Sequence, residues 1–374
     1  MPEASQKYTF CRTLLNGPSP SHVRELGNSR YPLAMYEQGL AAGESAYDHG
    51  GYINIPELPS GVGVRNSCRP EIIEESAYLR ILQPAGGWLS AGTLEKLAAC
   101  AETYGKSLIH FTSGGTIEIY TTREQMVPAV RELNAAGLDV GSTGNDLRCL
   151  TACCGPARCD AALIDAPALA TYLGQRFIDE QQYPGYPQKV KSGVSGCPND
   201  CTRAMMQKDH SFIGVYRDLP QINSEALLAW QEAGGDLKGL LASCPTEALV
   251  WTGSTLAVDP QKCWHCMVCI NLCPAIRPGR ERGVAWVAGG KYGHRGPQGP
   301  MVGYVLVPFI PIKDNDYTTI GDLFGAFLEL WADNAQKKER VGDFISRVGP
   351  LWVIKELGLN AVPQILISPG RNGF

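Results

Sequence analysis

The chain has 374 residues, 44% of them apolar and 19% charged, which is typical of a globular protein with two or three domains. The net charge of −4 provides no basic surplus for nucleic-acid binding. The first residues lack the basic start and apolar run of a secretion signal. The longest apolar run, near Met301–Ile312, contains two prolines and is too short to cross a bilayer. We therefore expect a soluble, cytoplasmic protein with no nucleic-acid partner and no membrane span.

Residues 1–75 are rich in Gly, Pro and Ser and predict an irregular N-terminal extension. Regular patterns begin in residues 76–137, where strand and helix periodicities follow in the order β-α-β-β-α. Ser90 is a typical helix cap, and Gly105 is a typical helix end. The order predicts a ferredoxin-like half with the elements Tyr78–Gln83, Ser90–Tyr104, Leu108–Phe111, Thr116–Thr121 and Arg123–Ala136.

A similar rhythm returns in residues 138–236, which we expect to be continued by residues 289–312. Between them, residues 237–288 shift to cysteines and short apolar pieces, which indicates an inserted module. Residues 313–374 predict a helical segment, from Thr319 to Val348, and an extended tail. The elements expected in the main domain are the strands Lys189–Val194, Ser211–Tyr216, Val284–Val287 and Val302–Phe309 and the helix Asn199–Gln207.

Nine of the fourteen cysteines fall into two groups, which in a chain without a secretion signal favours metal binding over disulfides. The first group pairs Cys153 with Cys159 and Cys197 with Cys201. Two loops that each provide two thiolates can hold an iron–sulfur cubane. A zinc site or buried free thiols are the alternatives, although the five-residue spacer between Cys153 and Cys159 fits zinc poorly.

The second group follows the bacterial ferredoxin pattern C-x2-C-x2-C-x3-C-P, from Cys263 to Pro274. In that pattern the fourth cysteine serves a different cluster, so the fourth ligand should come from another Cys-Pro pair. Cys244-Pro245 provides it, which leaves Cys273 as a vestigial buried thiol. We therefore assign the second [4Fe-4S] cluster to Cys244, Cys263, Cys266 and Cys269, with zinc as the alternative.

Cys-x5-Cys followed by Gly-Cys-Pro-Asn-x-Cys resembles the signature of siroheme sulfite and nitrite reductases. The inserted ferredoxin module narrows the resemblance to dissimilatory or anaerobic sulfite reductases. Stretches such as Leu79–Pro84, Gly141–Arg148 and Leu306–Phe309 favour the alpha-type subunit of the dissimilatory enzymes. The resemblance implies an α+β fold of two ferredoxin-like halves with an inserted [4Fe-4S] domain, a siroheme and two [4Fe-4S] clusters. It also implies that Cys201 bridges the first cluster to the siroheme iron.

Sulfite is an anion and siroheme carries carboxylates, so both require basic partners. Lys189 and Lys191 alternate just before Cys197 and should point to one face. By resemblance, the residues that bind sulfite and relay protons are Arg80, Arg148, Lys189 and Lys191, with Arg65 and Lys208 as further candidates. Some alpha-type subunits have a third alternating lysine where this chain has Gly193. Two polar turns should cradle the siroheme carboxylates with backbone N–H groups: Thr112, Ser113 and Gly114, and Gly141, Ser142, Thr143 and Asn145.

The resemblance implies a six-electron reduction of sulfite to sulfide, or to a trisulfide on a small sulfur-carrier protein. The expected partner is a beta-type subunit in an α2β2 heterotetramer. Three alternatives remain at this stage. The chain could be a siroheme nitrite reductase or an assimilatory-type sulfite reductase, it could be a non-catalytic structural subunit, or it could be a plain electron-transfer protein.

Overall fold

The computed structural model describes residues 55–65, 77–293 and 298–362. Its strands are β1 (Gly63–Arg65), β2 (Ala77–Leu82), β3 (Gly105–Phe111), β4 (Thr116–Thr121), β5 (Thr151–Ala152), β6 (Ser192–Ser195), β7 (His210–Tyr216), β8 (Gln221–Ile222), β9 (Leu249–Trp251), β10 (Leu256–Val258), β11 (Ile276–Arg277), β12 (Arg282–Ala288) and β13 (Tyr304–Pro311). Its α-helices are α1 (Ala91–Tyr104), α2 (Met126–Ala135), α3 (Ala166–Arg176), α4 (Ile178–Gln182), α5 (Ala204–Gln207), α6 (Ser224–Glu232), α7 (Leu237–Ala242), α8 (Val268–Leu272), α9 (Thr318–Asn334), α10 (Val341–Val348) and α11 (Pro350–Glu356). None of these helices is long and apolar enough to cross a membrane.

The first sheet has the strand order β1-β2-β4-β3, and α1 and α2 pack on it. Ser90 caps α1, because its side chain accepts a hydrogen bond from the backbone N–H of Thr93 at 3.0 Å. Apolar side chains alternate along β2 and β4, and those that face the helices are fully buried, such as Leu79 and Ile117. The predicted order β-α-β-β-α is confirmed, with one further strand, β1, added at the edge.

The second sheet has the order β13-β12-β7-β6-β5. Strands β5, β6 and β7 are parallel, whereas β12 pairs antiparallel with both β7 and β13. The predicted return of the main sheet near 284 and 302 is therefore confirmed. The helices α3 and α9 cover this sheet, and aromatic rings fill the space between them. Phe212 stacks on Trp286 with their centroids 6.2 Å apart, and Phe324 meets Phe212 edge-on at 5.6 Å.

A smaller unit lies between β7 and β12 and has its own apolar core, which includes Leu227, Leu240 and Ile276. Its outermost strands are β8 and β11, which pair with each other and close the unit at both ends. The module therefore runs from about Gln221 to Arg277 rather than from 237 to 288. The boundary differs because β12, at 282–288, belongs to the second sheet.

Two other expectations also need adjustment. Regular pairing begins at Ser192 rather than Lys189, and the helix expected from Asn199 begins only at Ala204. Asp200 and Arg203 have positive φ angles, which interrupt a helix before that point. The predicted C-terminal helices are present as α9, α10 and α11, and they join the main core. The irregular extension before residue 55 and the tail from Pro363 lie outside the described residues.

Candidate functional site

The first cysteine set is brought together by β5, β6 and the loops that follow them. Cys153 follows β5, Cys197 follows β6, and the two strands pair in parallel. Burial raises the pKa of the Cys197 thiol, and the nearby thiols of Cys159, Cys201 and Cys153 raise it further. Cys197 therefore lies close to the other three thiols, and the four cysteines form a single group. The sequence predicted this set, and the structure brings all four members together.

The loop between Cys197 and Cys201 is held by the carboxylate of Asp200. This carboxylate accepts hydrogen bonds from the Ser195 hydroxyl at 2.5 Å and from the backbone N–H groups of Ala204 and Met205 at 2.9 and 3.1 Å. Asp200 thus connects the end of β6 to the first turn of α5. The thiols at the two ends of the loop differ in their surroundings, since Cys197 is buried and Cys201 is exposed.

The second cysteine set lines a small cavity in the inserted module. All four predicted ligands border it: Cys244, Cys263, Cys266 and Cys269. Burial raises the pKa of the Cys269 thiol to about 11, and the neighbouring Cys266 and Cys263 contribute to this increase. The cavity and the mutual electrostatic influence fit the assignment of these four residues to one cluster.

Cys244 differs from the other members because its sulfur is surrounded by backbone donors. The N–H of Ala248 donates to Cys244 Sγ at 3.2 Å. Burial raises the pKa of this thiol, but N–H groups of Thr246, Ala248 and Leu249 together bring it below its ordinary value. A thiolate is the form that binds metal. Cys273, by contrast, is 1% exposed and packs in the apolar core of the module, as predicted for a buried thiol.

The loops of the two cysteine sets touch each other through a pair of amides. Asn199, in the loop between Cys197 and Cys201, donates to Asn271 Oδ1 at 3.3 Å. Asn271, in α8, donates in return to Asn199 Oδ1 at 2.8 Å. Cys269 and Asn271 belong to the same short helix, so this pair is a direct connection between the two sets.

The thiol donors of the two sets fit iron–sulfur clusters better than single ions. A tetrahedral zinc with Zn–S bonds of about 2.3 Å requires its sulfurs within about 4 Å of one another. Within residues 55–65, 77–293 and 298–362, no three His, Cys, Asp or Glu side chains are close enough to hold one metal ion. A cubane binds its thiolates at the corners of a larger body. One thiol of each set, Cys197 and Cys269, nevertheless lies near enough to the other thiols of its set for them to raise its pKa.

Arg80 and Arg148 are oriented by the same backbone oxygen. Arg80 donates to the carbonyl oxygen of Ser142 at 3.2 Å, and Arg148 donates to it as well. Glu118 fixes Arg80 from the other side, since its carboxylate accepts from Arg80 Nε at 2.9 Å. Arg148 also forms an ion pair with the buried Asp146 at 3.2 Å. Both guanidinium groups are therefore held in defined positions.

Lys189, Lys191 and Lys208 complete a basic group around these arginines. Val190 is fully buried, so the predicted alternation holds, with Lys189 and Lys191 on the opposite side from it. Burial, with smaller contributions from Lys191, Arg148 and Arg340, lowers the pKa of Lys189 to about 8. Burial and Lys191 likewise lower the pKa of Lys208 to about 8. Like charges raise the cost of protonating each lysine, so the group favours an anion among them.

Both polar turns are present, but the backbone N–H groups of one of them bind protein oxygens. The backbone N–H groups of Gly141, Ser142 and Thr143 donate to Arg80 O, Gln181 O and the Asp146 carboxylate. They are therefore not available to bind siroheme carboxylates, and Asn145 is exposed beyond them. This turn contributes to the site by its carbonyl groups, which hold the arginines.

The other turn, Thr112–Gly115, lies against the first cysteine loop. A Cβ at Gly115 would come within 2.4 Å of Thr151 Cγ2, and Gly115 has a φ of +84°, so this position requires glycine. The Thr112 hydroxyl accepts a hydrogen bond from Gly114 N at 3.3 Å and closes the turn. The side chain of Ser113, within this turn, is exposed. Buried hydroxyl groups of Thr143 and Thr151 have no partner in the described residues, which leaves polar groups for a ligand here.

The space beside Gly193 is filled by the stem of Lys208. A Cβ at Gly193 would lie 3.1 Å from Lys208 Cγ and 3.1 Å from Thr151 Oγ1. A lysine at position 193 would compete with Lys208 for this space. Lys208 thus brings its ammonium group to the basic group from the short segment between α5 and β7. Arg65 lies in β1, paired with Ala77, and its side chain is outside the described part.

Two residues of the site were missed by the sequence analysis. Glu118 lies opposite Arg80 on the neighbouring strand and would be found from the pairing of β2 with β4. Arg340, at the start of α10, contacts Asp209 with Nε and a terminal nitrogen at 2.9 and 2.6 Å. No local pattern points to Arg340, because it is 131 residues from its partner.

Comparison with known proteins agrees with this arrangement. Residues 143–364 match the family model "Nitrite and sulphite reductase 4Fe-4S domain", and residues 74–136 match "Nitrite/Sulfite reductase ferredoxin-like half domain". The dissimilatory-type sulfite reductase subunit alpha of Allochromatium vinosum is 30% identical over 88% of this chain and 81% of its own. The corresponding subunit beta of Archaeoglobus fulgidus is 26% identical over 70% of this chain and 73% of its own.

Among solved structures, dissimilatory sulfite reductase I superposes with a TM-score of 0.83 at 26% identity, covering 98% of this chain and 93% of that one. The predicted fold class, two ferredoxin-like halves with an inserted module, is confirmed by this match and by the two family models. This chain belongs to the nitrite and sulfite reductase family and, within it, to the dissimilatory-type alpha subunits.

Proposed function

We propose that this chain reduces sulfite by six electrons to sulfide, or to a carrier-bound trisulfide, at a siroheme coupled to a [4Fe-4S] cluster. The observation that supports the proposal most is the basic group beside the first cysteine set. Five of its members were proposed as ligands from the sequence: Arg80, Arg148, Lys189, Lys191 and Lys208. A family in which the relatives are named sulfite reductases gives this group an anionic substrate.

When bound, the siroheme and the two cubanes would supply the electrons and the iron that accepts the sulfur atom. The chain's own residues would bind the oxygens and provide protons. Arg80 and Arg148 are held by Ser142 O, so their remaining N–H groups can face an anion without reorganising. The pKa of about 8 at Lys189 and Lys208 leaves their Nζ atoms protonated at neutral pH, yet ready to release a proton.

The second cysteine set supports electron entry through the inserted module. Trp264, between Cys263 and the rest of the set, is 74% exposed, so this set lies near the surface of the described chain. The Asn199–Asn271 pair joins it to the first set. We propose that the second set would hold the cluster through which electrons enter, and that Cys201, the exposed member of the first set, would also hold the siroheme.

The proposed partners are a beta-type subunit, in an α2β2 assembly, and a small sulfur-carrier protein. The relatives include both alpha-type and beta-type subunits, which supports the first of these. Thiols that hold clusters must stay reduced, which supports a cytoplasmic location. Size measurement of the purified protein, alone and with a co-expressed beta-type subunit, tests the assembly.

The test of the proposed function begins with anaerobic purification and extraction of the pigment in acid. We expect siroheme together with about eight irons and matching acid-labile sulfide per chain, as two cubanes require. Turnover is then measured with sulfite and with nitrite. Faster turnover of nitrite would favour a nitrite reductase. Clusters with an iron-free tetrapyrrole would move catalysis to the partner, and clusters without any tetrapyrrole would refute the proposal and leave an electron carrier.

A further inference from the structure

Asp209 is a buried carboxylate at the edge of the basic group, just before β7. Its side chain is 0% exposed, and its Oδ2 accepts the backbone N–H of Lys191 at 2.8 Å. The backbone N–H of His210 donates to Lys191 O at 3.0 Å, so Lys191 is anchored on both sides of its peptide. A buried carboxylate needs a compensating charge. The nearest candidates are the lysines of the site and Arg340.

The charge comes from Arg340, which reaches Asp209 from the C-terminal helices. Its two nitrogens contact both carboxylate oxygens, and its side chain is 15% exposed. The segment just before Arg340 is held against the chain that precedes Lys189, because Lys338 N donates to Pro187 O at 3.1 Å. Arg340 occupies the N-terminal end of α10, where a cation opposes the helix dipole. Helix stability therefore does not account for arginine at this position.

The lysines nearest to this ion pair keep their ammonium groups available. Within residues 55–65, 77–293 and 298–362, no hydrogen bond or ion pair engages Nζ of Lys189 or Lys191. The charged groups around Lys191 are Arg340, Asp209, Lys208, Arg148 from the segment before β5, and Arg80 from the first sheet. Lys189 faces the same groups except Arg80 and Lys208, and it also faces Lys191. Asp209 is the one acidic group among those that act on these two lysines.

We propose that Arg340 is a positioning residue of the anion pocket, because its bidentate pairing with Asp209 prevents this carboxylate from binding the ammonium groups of Lys189 and Lys191. Without Arg340, Asp209 would be a buried, uncompensated charge that contacts the Lys191 backbone and acts electrostatically on both lysines. One lysine would turn toward Asp209 and leave the pocket. This inference deepens the proposed function and rests on it for the identity of the anion.

The experiment uses the anaerobically purified holoprotein as wild type and as Arg340→Gln, Arg340→Lys and the double variant Arg340→Gln/Asp209→Asn. Arg347→Gln is the matched control, since Arg347 makes a similar bidentate pair with Glu339, at 2.7 and 2.9 Å, away from the lysines. The pKa of each lysine is measured by pH-dependent acetylation and mass spectrometry. Affinity is measured with nitrite, an anion whose charge is constant over the neutral and alkaline range.

Loss of Arg340 should raise the pH midpoint of Lys191 labelling by roughly one unit or more. The negative charge of Asp209 is then no longer neutralised by Arg340 and stabilises the protonated lysine. Nitrite affinity should fall by roughly tenfold, the effect of losing one hydrogen bond from a charged donor. For both quantities, Arg340→Lys should give values between those of the wild type and Arg340→Gln. The double variant should return toward wild-type values, because the carboxylate charge is gone. Arg347→Gln should change neither quantity.

Three results would overturn the proposal. One is an Arg340→Gln protein with unchanged Lys191 labelling and nitrite affinity. Another is a double variant that binds nitrite as weakly as the single variant, which would mean that Arg340 contacts the anion itself. The third applies if Arg340→Gln does not fold: Lys191 labelling and nitrite affinity in Arg340→Lys that equal those of the wild type. A wild-type protein that binds no anion would refute the proposed function, while the labelling result would still decide the role of Arg340.

Discussion

The assignment of the second cluster can be decided by replacing Cys244 and Cys273 separately with alanine. Cys244 precedes the ferredoxin-like stretch in sequence and Cys273 ends it, and the two thiols lie in different surroundings. Cys244 borders the cavity shared with Cys263, Cys266 and Cys269, whereas Cys273 is 1% exposed in the apolar core of the module. We expect Cys244→Ala to lose one cubane and Cys273→Ala to keep both.

The magnitudes follow from these positions. Removal of a ligand from one of two cubanes should lower the cluster iron, counted apart from the siroheme iron, from about eight to about four per chain. Removal of the buried Cys273 sulfur deletes about one methylene-sized group and should cost about 1–2 kcal/mol of unfolding free energy. For a chain of 374 residues, that loss corresponds to roughly 1–3 °C in Tm. Cys100→Ala is the control for burial, since Cys100 is also 1% exposed but lies in the first core, far from either set.

The assay is iron and acid-labile sulfide per chain, with thermal unfolding followed by circular dichroism on the same anaerobic samples. Cys100→Ala and Cys273→Ala should match each other in both measurements. Iron near four per chain in Cys273→Ala, with full iron in Cys244→Ala, would refute the reasoning. It would mean that the fourth ligand is taken from the contiguous motif rather than from the distant Cys-Pro pair.

Other predictions concern the basic group and the contact between the clusters. Nitrite affinity should fall as pH rises through about 8, because Lys189 and Lys208 lose their protons there; Lys189→Arg should reduce this fall, and an unchanged profile would exclude Lys189 as an anion ligand. Glu118→Gln should raise the KM for sulfite by roughly tenfold, since Arg80 loses a charged partner at 2.9 Å. Glu118→Asp should recover part of that loss, and steady-state kinetics that show only a change in kcat would contradict it. Asn271→Ala should keep the iron content but weaken the magnetic interaction between the reduced clusters in electron paramagnetic resonance spectra. Leu272→Ala, at an exposed neighbour on the same helix, should leave that interaction unchanged.

The ligand sets were predictable because each of them is largely local in sequence. Cys263, Cys266 and Cys269 lie within one loop and the start of α8, and the spacing of cluster ligands is written directly in the chain. The alternation of Lys189 and Lys191 around a buried Val190 was also readable, since extended backbone points alternate side chains to opposite faces. The start of the helix after Cys201 could not be predicted in this way, because Asp200 and Arg203 adopt left-handed backbone angles that the local pattern does not reveal.

The sequence by itself determined the chemistry of the site, namely cysteines for two clusters and basic side chains for an anion. The tertiary structure alone decided how those groups are held. Ser142 O joins Arg80 to Arg148, Asn199 meets Asn271 from 72 residues away, and Arg340 meets Asp209 from 131 residues away. Such contacts depend on which sheet edges and helix ends the fold brings together. Residue type and spacing constrain only neighbours along the chain, so contacts at this separation appear only once the two sheets and the C-terminal helices have packed.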